Sequence, residues 1–91
     1  MTKTINLSNG NTVSFILNST GKEYFFLKYK FSNGNKGIPT KYYNEIKAAA
    51  QELATKHPEW PKGVKPSNEI IIDSNLCEIG IKPETKISVP V

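Results

Sequence analysis

Ninety-one residues with twelve lysines, eight acidic side chains, no arginine and a single cysteine make a chain of net charge +4. That length suits one small domain and excludes a second sizeable core, because domains begin near ~50 residues and small ones bury only ~60% of their unfolded surface. Cys77 alone cannot build a disulfide framework, no stretch approaches the ~18 apolar residues of a membrane span, and the first residues lack the apolar run of a signal peptide. A cytoplasmic setting is the expectation.

Thr2–Ser8 and Thr12–Asn18 flank Ser8-Asn9-Gly10-Asn11, a strong hairpin signal. A two-residue turn at Asn9-Gly10 would put the apolar residues of the two strands on opposite faces. A three-residue loop, Asn9-Gly10-Asn11, instead pairs Leu7 with Val13 and Ile5 with Phe15, and Asn11 tolerates the left-handed conformation such loops need. The second register is the expected one.

The next strand, Glu23–Phe31, is rich in aromatics on both sides. Successive side chains of a strand point to opposite faces, so Phe25, Leu27, Tyr29 and Phe31 line one face and Tyr24, Phe26, Lys28 and Lys30 the other. A turn at Ser19-Thr20-Gly21-Lys22 would pair Leu17 with Phe25, Phe15 with Leu27 and Val13 with Tyr29, a consistent core. On the reverse side Ile16 then faces Phe26, Asn18 faces Tyr24 and Ser14 faces Lys28. That second aromatic face needs a cover: the chain's own later strands, a protein partner, or nucleic acid.

After Asn33-Gly34-Asn35-Lys36-Gly37, Pro39 and Thr40 mark a helix start with Thr40 as N-cap. The helix Lys41–His57 places Tyr42 or Tyr43, Ile46, Ala49, Ala50, Leu53 and His57 at helical spacing, and its alanines predict close approach to a sheet. Pro58 ends it. Pro58–Asn68 is too proline-rich for regular structure, and strands Glu69–Asp73, Leu76–Lys82 and Lys86–Val89 follow. The order predicts an α+β fold: an antiparallel sheet of five or six strands, βββ-α-ββ(β), covered on one face by one helix.

Candidate chemistry is sparse. His57 and Cys77 are the only members of a conceivable nucleophilic pair, but His57 suits a helix C-terminus and Cys77 an apolar strand. The eight acids form no paired-carboxylate motif, and the His and Cys content does not reach the three or four ligands of a zinc site. The expectation is therefore no enzyme, no catalytic residue, no metal and no cofactor. Gly34-Asn35-Lys36-Gly37 ahead of the helix lacks phosphate-loop spacing and reads as an ordinary connection. Trp60, between Pro58 and Pro61, fits either an exposed anchor with Lys62 and Lys65 around it or a plug for the open end of a small core.

The candidate partner surface is Tyr24, Phe26, Lys28 and Lys30, with Trp60, Lys62 and Lys65. Its aromatic and basic chemistry is similar to sheet surfaces that stack single-stranded bases. Lysine, however, lacks the planar fork with which arginine reads guanine and phosphate, which lowers the expectation of sequence-specific DNA reading.

The segment Phe25–His57, a strand pair with an Asn-Gly turn running into Thr40–His57 with its alanine-rich centre, loosely resembles the arm-binding, AP2-like N-terminal domains of phage integrases. That resemblance implies a three-stranded sheet backed by one helix that reads DNA; it includes no diagnostic residue, and the sheet here has no arginine. In size and in lacking catalytic residues the chain is also similar to phage-encoded host-takeover proteins, anti-CRISPR inhibitors among them. Abundant Lys, Asn and Ile agree in composition with an AT-rich phage or bacterial genome. The leading expectation is a stoichiometric binder of a host protein or ribonucleoprotein, with no membrane partner. A nucleic-acid-binding module using the aromatic and lysine face is the alternative.

Overall fold

The computed structural model describes residues 2–20 and 24–84. Five strands form one antiparallel sheet: β1 (Thr2–Asn6), β2 (Thr12–Thr20), β3 (Phe25–Phe31), β4 (Pro66–Asp73) and β5 (Glu78–Pro83), in spatial order β1-β2-β3-β5-β4. One helix, α1 (Tyr43–Ala54), lies on one face, so the chain is an α+β fold. The last two strands thus enter the sheet beside β3 instead of folding over its reverse side. The expected strand Lys86–Val89 lies outside the described residues.

The expected core face is the observed one. Val13, Phe15, Leu27, Ile79 and Ile81 are fully buried, and Ile46, Ala50, Leu53 and Ala54 of α1 close over them. Ala50 and Ala54 have no exposed surface, which is what lets a helix axis come near a sheet without the gap a longer side chain would need. Lys3 at the β1 edge reaches Glu52 of α1 at 3.1 Å and holds that exposed carboxyl below its usual range. Across the helix, the Gln51 side-chain amide donates to the Ser67 carbonyl (2.9 Å).

Both hairpin registers differ from expectation by two residues. Ile5 pairs with Val13 and Lys3 with Phe15, because the Leu7 amide bonds Asn11 (2.8 Å) around a loop of Ser8-Asn9-Gly10. Gly10, at φ 88°, takes the left-handed position that Asn11 was expected to hold, since without a Cβ it does so free of strain. Moving the loop centre by one residue shifts the pairing by two and leaves every face unchanged. In β2 and β3, Phe15 pairs with Tyr29, Leu17 with Leu27 and Val13 with Phe31, and a bulge between Leu17 and Ser19 absorbs one further residue before Thr20 meets Phe25.

Helix boundaries are tighter than the periodicity implied. Thr40 makes no side-chain cap; instead the Tyr42 amide bonds the Pro39 carbonyl (3.0 Å), and a single 3₁₀ turn, Thr40–Tyr42, leads into α1. The helix stops at Ala54, three residues before His57: the Lys56 and His57 amides bond the Leu53 and Ala54 carbonyls in tighter turns, and the Thr55 hydroxyl donates to the Glu52 carbonyl (2.7 Å). Cys77 is not in a strand. It closes the four-residue turn after Asp73 at φ 53°, while the Asp73 carboxylate accepts from the Asn75 and Leu76 amides at 2.9 and 3.1 Å.

Phe15 has no exposed surface, so Phe15→Ala removes transfer energy and leaves a cavity. A loss of ~3–5 kcal/mol is expected, read as a lower denaturant midpoint at unchanged slope. Tyr29 supplies a pH test, because its part-buried hydroxyl donates to the Lys36 carbonyl and burial, then the Cys77 and Asp73 charges, raise its pKa. The unfolded phenol ionises near ~10, before the folded one, so the protein loses stability as pH climbs from there through the folded value. The stability gap between wild type and Tyr29→Phe, about 0.5–1.5 kcal/mol at neutral pH for one hydrogen bond, should therefore shrink above pH ~10 in paired denaturation curves.

Candidate functional site

The reverse face of the sheet is built by strand alternation alone. Tyr24, Phe26, Lys28 and Lys30 point away from α1, as the period of two requires, and the pairing of β3 with β5 brings Gly80 directly opposite Phe26. Ile71 of β4 lies opposite Gly80 on its other side. A row Phe26, Gly80, Ile71 therefore crosses the face.

Gly80 is buried although no backbone layer covers it. The rings of Phe26 and Tyr24 do so: a Cβ at Gly80 would stand 2.9 Å from Phe26 Cε1 and 3.4 Å from Tyr24 Cδ2. The two rings have centroids 6.1 Å apart and tilt by 34° to each other, forming one platform over the glycine. Ile16 (52% exposed) and Ile71 (44%) extend this apolar strip on either side. The observed register sets Ile16 opposite Lys28 and Ser14 opposite Lys30, while beyond the bulge Ser19 stands opposite Phe26. The strip is accordingly longer than the compact Ile16, Tyr24 and Phe26 patch of the expected register.

Electrostatics on this face are nearly balanced. Lys28, Lys30 and Lys82 share it with Glu69, Asp73 and Glu78, three cations with three carboxylates. Lys28 lies 3.6 Å from Glu78 and donates to the Leu76 carbonyl (3.1 Å). Lys82 lies 3.6 Å from Glu69 and 6.0 Å from the centre of the Tyr24 ring. Lys30 is exposed and, among the described residues, has no carboxylate partner.

Trp60 does not join this surface, whereas Lys65 stands opposite Glu84, one step beyond Lys82 on the same side of the sheet. Trp60 is 7% exposed, packs on Phe25 at 5.0 Å between centroids and donates its indole N–H to the Val64 carbonyl (2.9 Å). Phe25 faces the core, so Trp60 belongs to the opposite side of the sheet from Tyr24 and Phe26 and plugs the open end of the core. Lys62 and Lys65 are exposed on the same loop, Lys65 beside a depression shared with Gly63, Val64 and Glu84.

His57 and Cys77 are also apart. His57 packs edge-on against Phe25 at 5.0 Å and accepts the Glu59 amide at Nδ1. Cys77 bonds its carbonyl to the Tyr29 amide, four residues farther along β3, a separation of about 13 Å. Among the described residues no group of three His, Cys, Asp or Glu side chains could hold a metal ion, and no helix is long and apolar enough to cross a membrane.

Gly80 is the site residue that sequence reasoning missed. Its signal was a lone glycine inside the apolar run Cys-Glu-Ile-Gly-Ile, a position where another side chain comes close to the backbone. No protein-family model, curated protein or solved structure matches this chain.

Gly80→Ala tests the platform. The added methyl must displace the Phe26 ring, which stands on a half-buried face and can swing outward without opening the core. A stability change under about 1 kcal/mol is expected, as for substitutions away from the core, with altered Phe26 and Tyr24 ring signals in NMR spectra and unchanged Phe15 and Leu27 signals.

Proposed function

We propose that this chain is a small non-catalytic binding domain that covers a protein surface with the reverse face of its sheet. The observation that carries the reading is the aromatic platform over Gly80, extended by Ile16 and Ile71 and flanked by Lys28 and Lys82, each 3.6 Å from a carboxylate. An apolar aromatic centre within a balanced polar rim is the anatomy of a protein contact, in which a few aromatic anchors carry most of the energy. Its narrower form is a phage-encoded inhibitor acting stoichiometrically on a host protein or ribonucleoprotein. Chain size, composition and the aromatic face support that form.

Nucleic acid is the weaker candidate for the same face. Binding to a phosphate backbone releases counterions in proportion to the phosphates neutralised, and Lys28 and Lys82 are each held 3.6 Å from a carboxylate. Lys30 alone would leave a salt slope near ~1, too shallow for firm retention at physiological ionic strength.

The test is capture from a lysate of the source cell, with and without nuclease, by wild type and by a Tyr24→Ala/Phe26→Ala double variant. A protein partner that survives nuclease and moderate salt and is lost with the double variant is expected. Retention of random-sequence DNA or RNA at physiological salt by wild type, abolished by Lys30→Gln, would reverse the ranking.

A further inference from the structure

The charges on the reverse face follow a pattern that neither a single protein contact nor a solvated surface requires. Along the strands, the row Phe26, Gly80, Ile71 separates a row of Lys28, Glu78 and Asp73 from a row of Tyr24, Lys82 and Glu69. A two-fold axis lying on the face along the central row would bring each outer row over the other row of a second copy. Glu78 then meets the copy's Lys82, Lys28 meets the copy's Tyr24 ring, and Phe26 and Ile71 meet themselves.

From this we propose that the occupant of the reverse face in the free protein is a second copy of this chain, packed sheet to sheet about that axis. The inference rests on the reading of this face as a protein-contact surface and names its first partner. The contacts made by β3 and β5 are favourable in kind: an opposite-charge pair repeated twice, a cation over an aromatic ring repeated twice, and an apolar centre. The like-charged meeting of Glu69 with the copy's Asp73, also repeated twice, falls on the outer strand, where water screens it and Lys82 lies 3.6 Å from Glu69.

Dimensions agree as well. Facing sheets pack about 10 Å apart, room for two layers of rings lying over their glycines. Five strands span about 24 Å, and the reverse-face rows about 20 Å, giving a flat contact of roughly 500 Å². That is smaller than the ~800 Å² per partner of standard stable complexes, so the dimer is reversible and a target protein can take the same face by displacing one copy.

Sedimentation equilibrium of the purified protein, from about 10 μM to about 1 mM, brackets the affinity of such a dimer. Wild type should pass from monomer to dimer within that range. Glu78→Lys and Lys82→Glu, each judged folded by an unchanged circular dichroism spectrum, should each weaken the dimer at least about tenfold by setting like charges against each other. An equimolar mixture of the two variants should restore it, since each then supplies the charge the other lacks. Ile71→Asp, at a half-exposed site that leaves the core alone, should also give a monomer. A wild-type monomer at every concentration overturns the proposal, and so does a dimer indifferent to these changes or a mixture that does not recover. A monomer that still captures a protein through Tyr24 and Phe26 would discard the dimer while leaving the protein-contact reading standing.

Discussion

The structure turns on β3, whose aromatics lie on both sides of one strand. Phe25, Leu27, Tyr29 and Phe31 can be buried only by a layer on their side, and a helix of twelve residues, about 18 Å long, supplies it. Ala49, Ala50 and Ala54 let that helix come close, and Trp60 completes the cover by folding onto Phe25. One helix cannot cover both faces. The second set of aromatics is left to find burial within the sheet surface itself, and it finds part of it on Gly80, where the absence of a side chain lets Phe26 and Tyr24 lie down.

Face identity was legible in the sequence for a physical reason. A strand's side chains alternate with a period of two, and any register error of two residues leaves the core and reverse sets intact, so Val13, Phe15, Leu27 and Tyr29 were assignable although both hairpin pairings were displaced. The pairings themselves were not legible. Asn9, Gly10 and Asn11 each suit a left-handed position, and only the backbone shows that Gly10 takes it. The bulge beyond Leu17 has no composition of its own, because its residues, Asn18 and Ser19, are as common in turns as in bulges. Trp60 illustrates a different gap: sequence proximity placed it with Lys62 and Lys65 as one surface, whereas the indole hydrogen bond to Val64 turns the ring inward onto Phe25.

Charge tells the same story at a coarser scale. A net charge of +4 and a surplus of lysine suggest a polyanion partner, yet a surplus over the whole chain says little about any one face. On the reverse sheet the strand pairing sets Lys28 beside Glu78 and Lys82 beside Glu69, and the local balance is near zero. These pairs contribute little to stability, since exposed ion pairs rarely exceed about 1 kcal/mol. Their consequence is a face of alternating charges instead of a uniform field.

That alternation bears on why the exposed aromatics are tolerable at all. An open apolar strip invites indiscriminate association, and sheets with bare faces or edges are a known hazard. Here the strip is narrow and each flank carries both signs of charge, so a partner covering Phe26 and Ile71 would also have to match Lys28 and Glu78 on one side and Lys82 and Glu69 on the other. A wrong partner desolvates these ion pairs without replacing their contacts, a penalty that grows as the apolar centre is more fully covered. On the proposed reading the same residues would supply the attraction and limit who can use it, with the glycine beneath the rings keeping the platform low between the charged flanks.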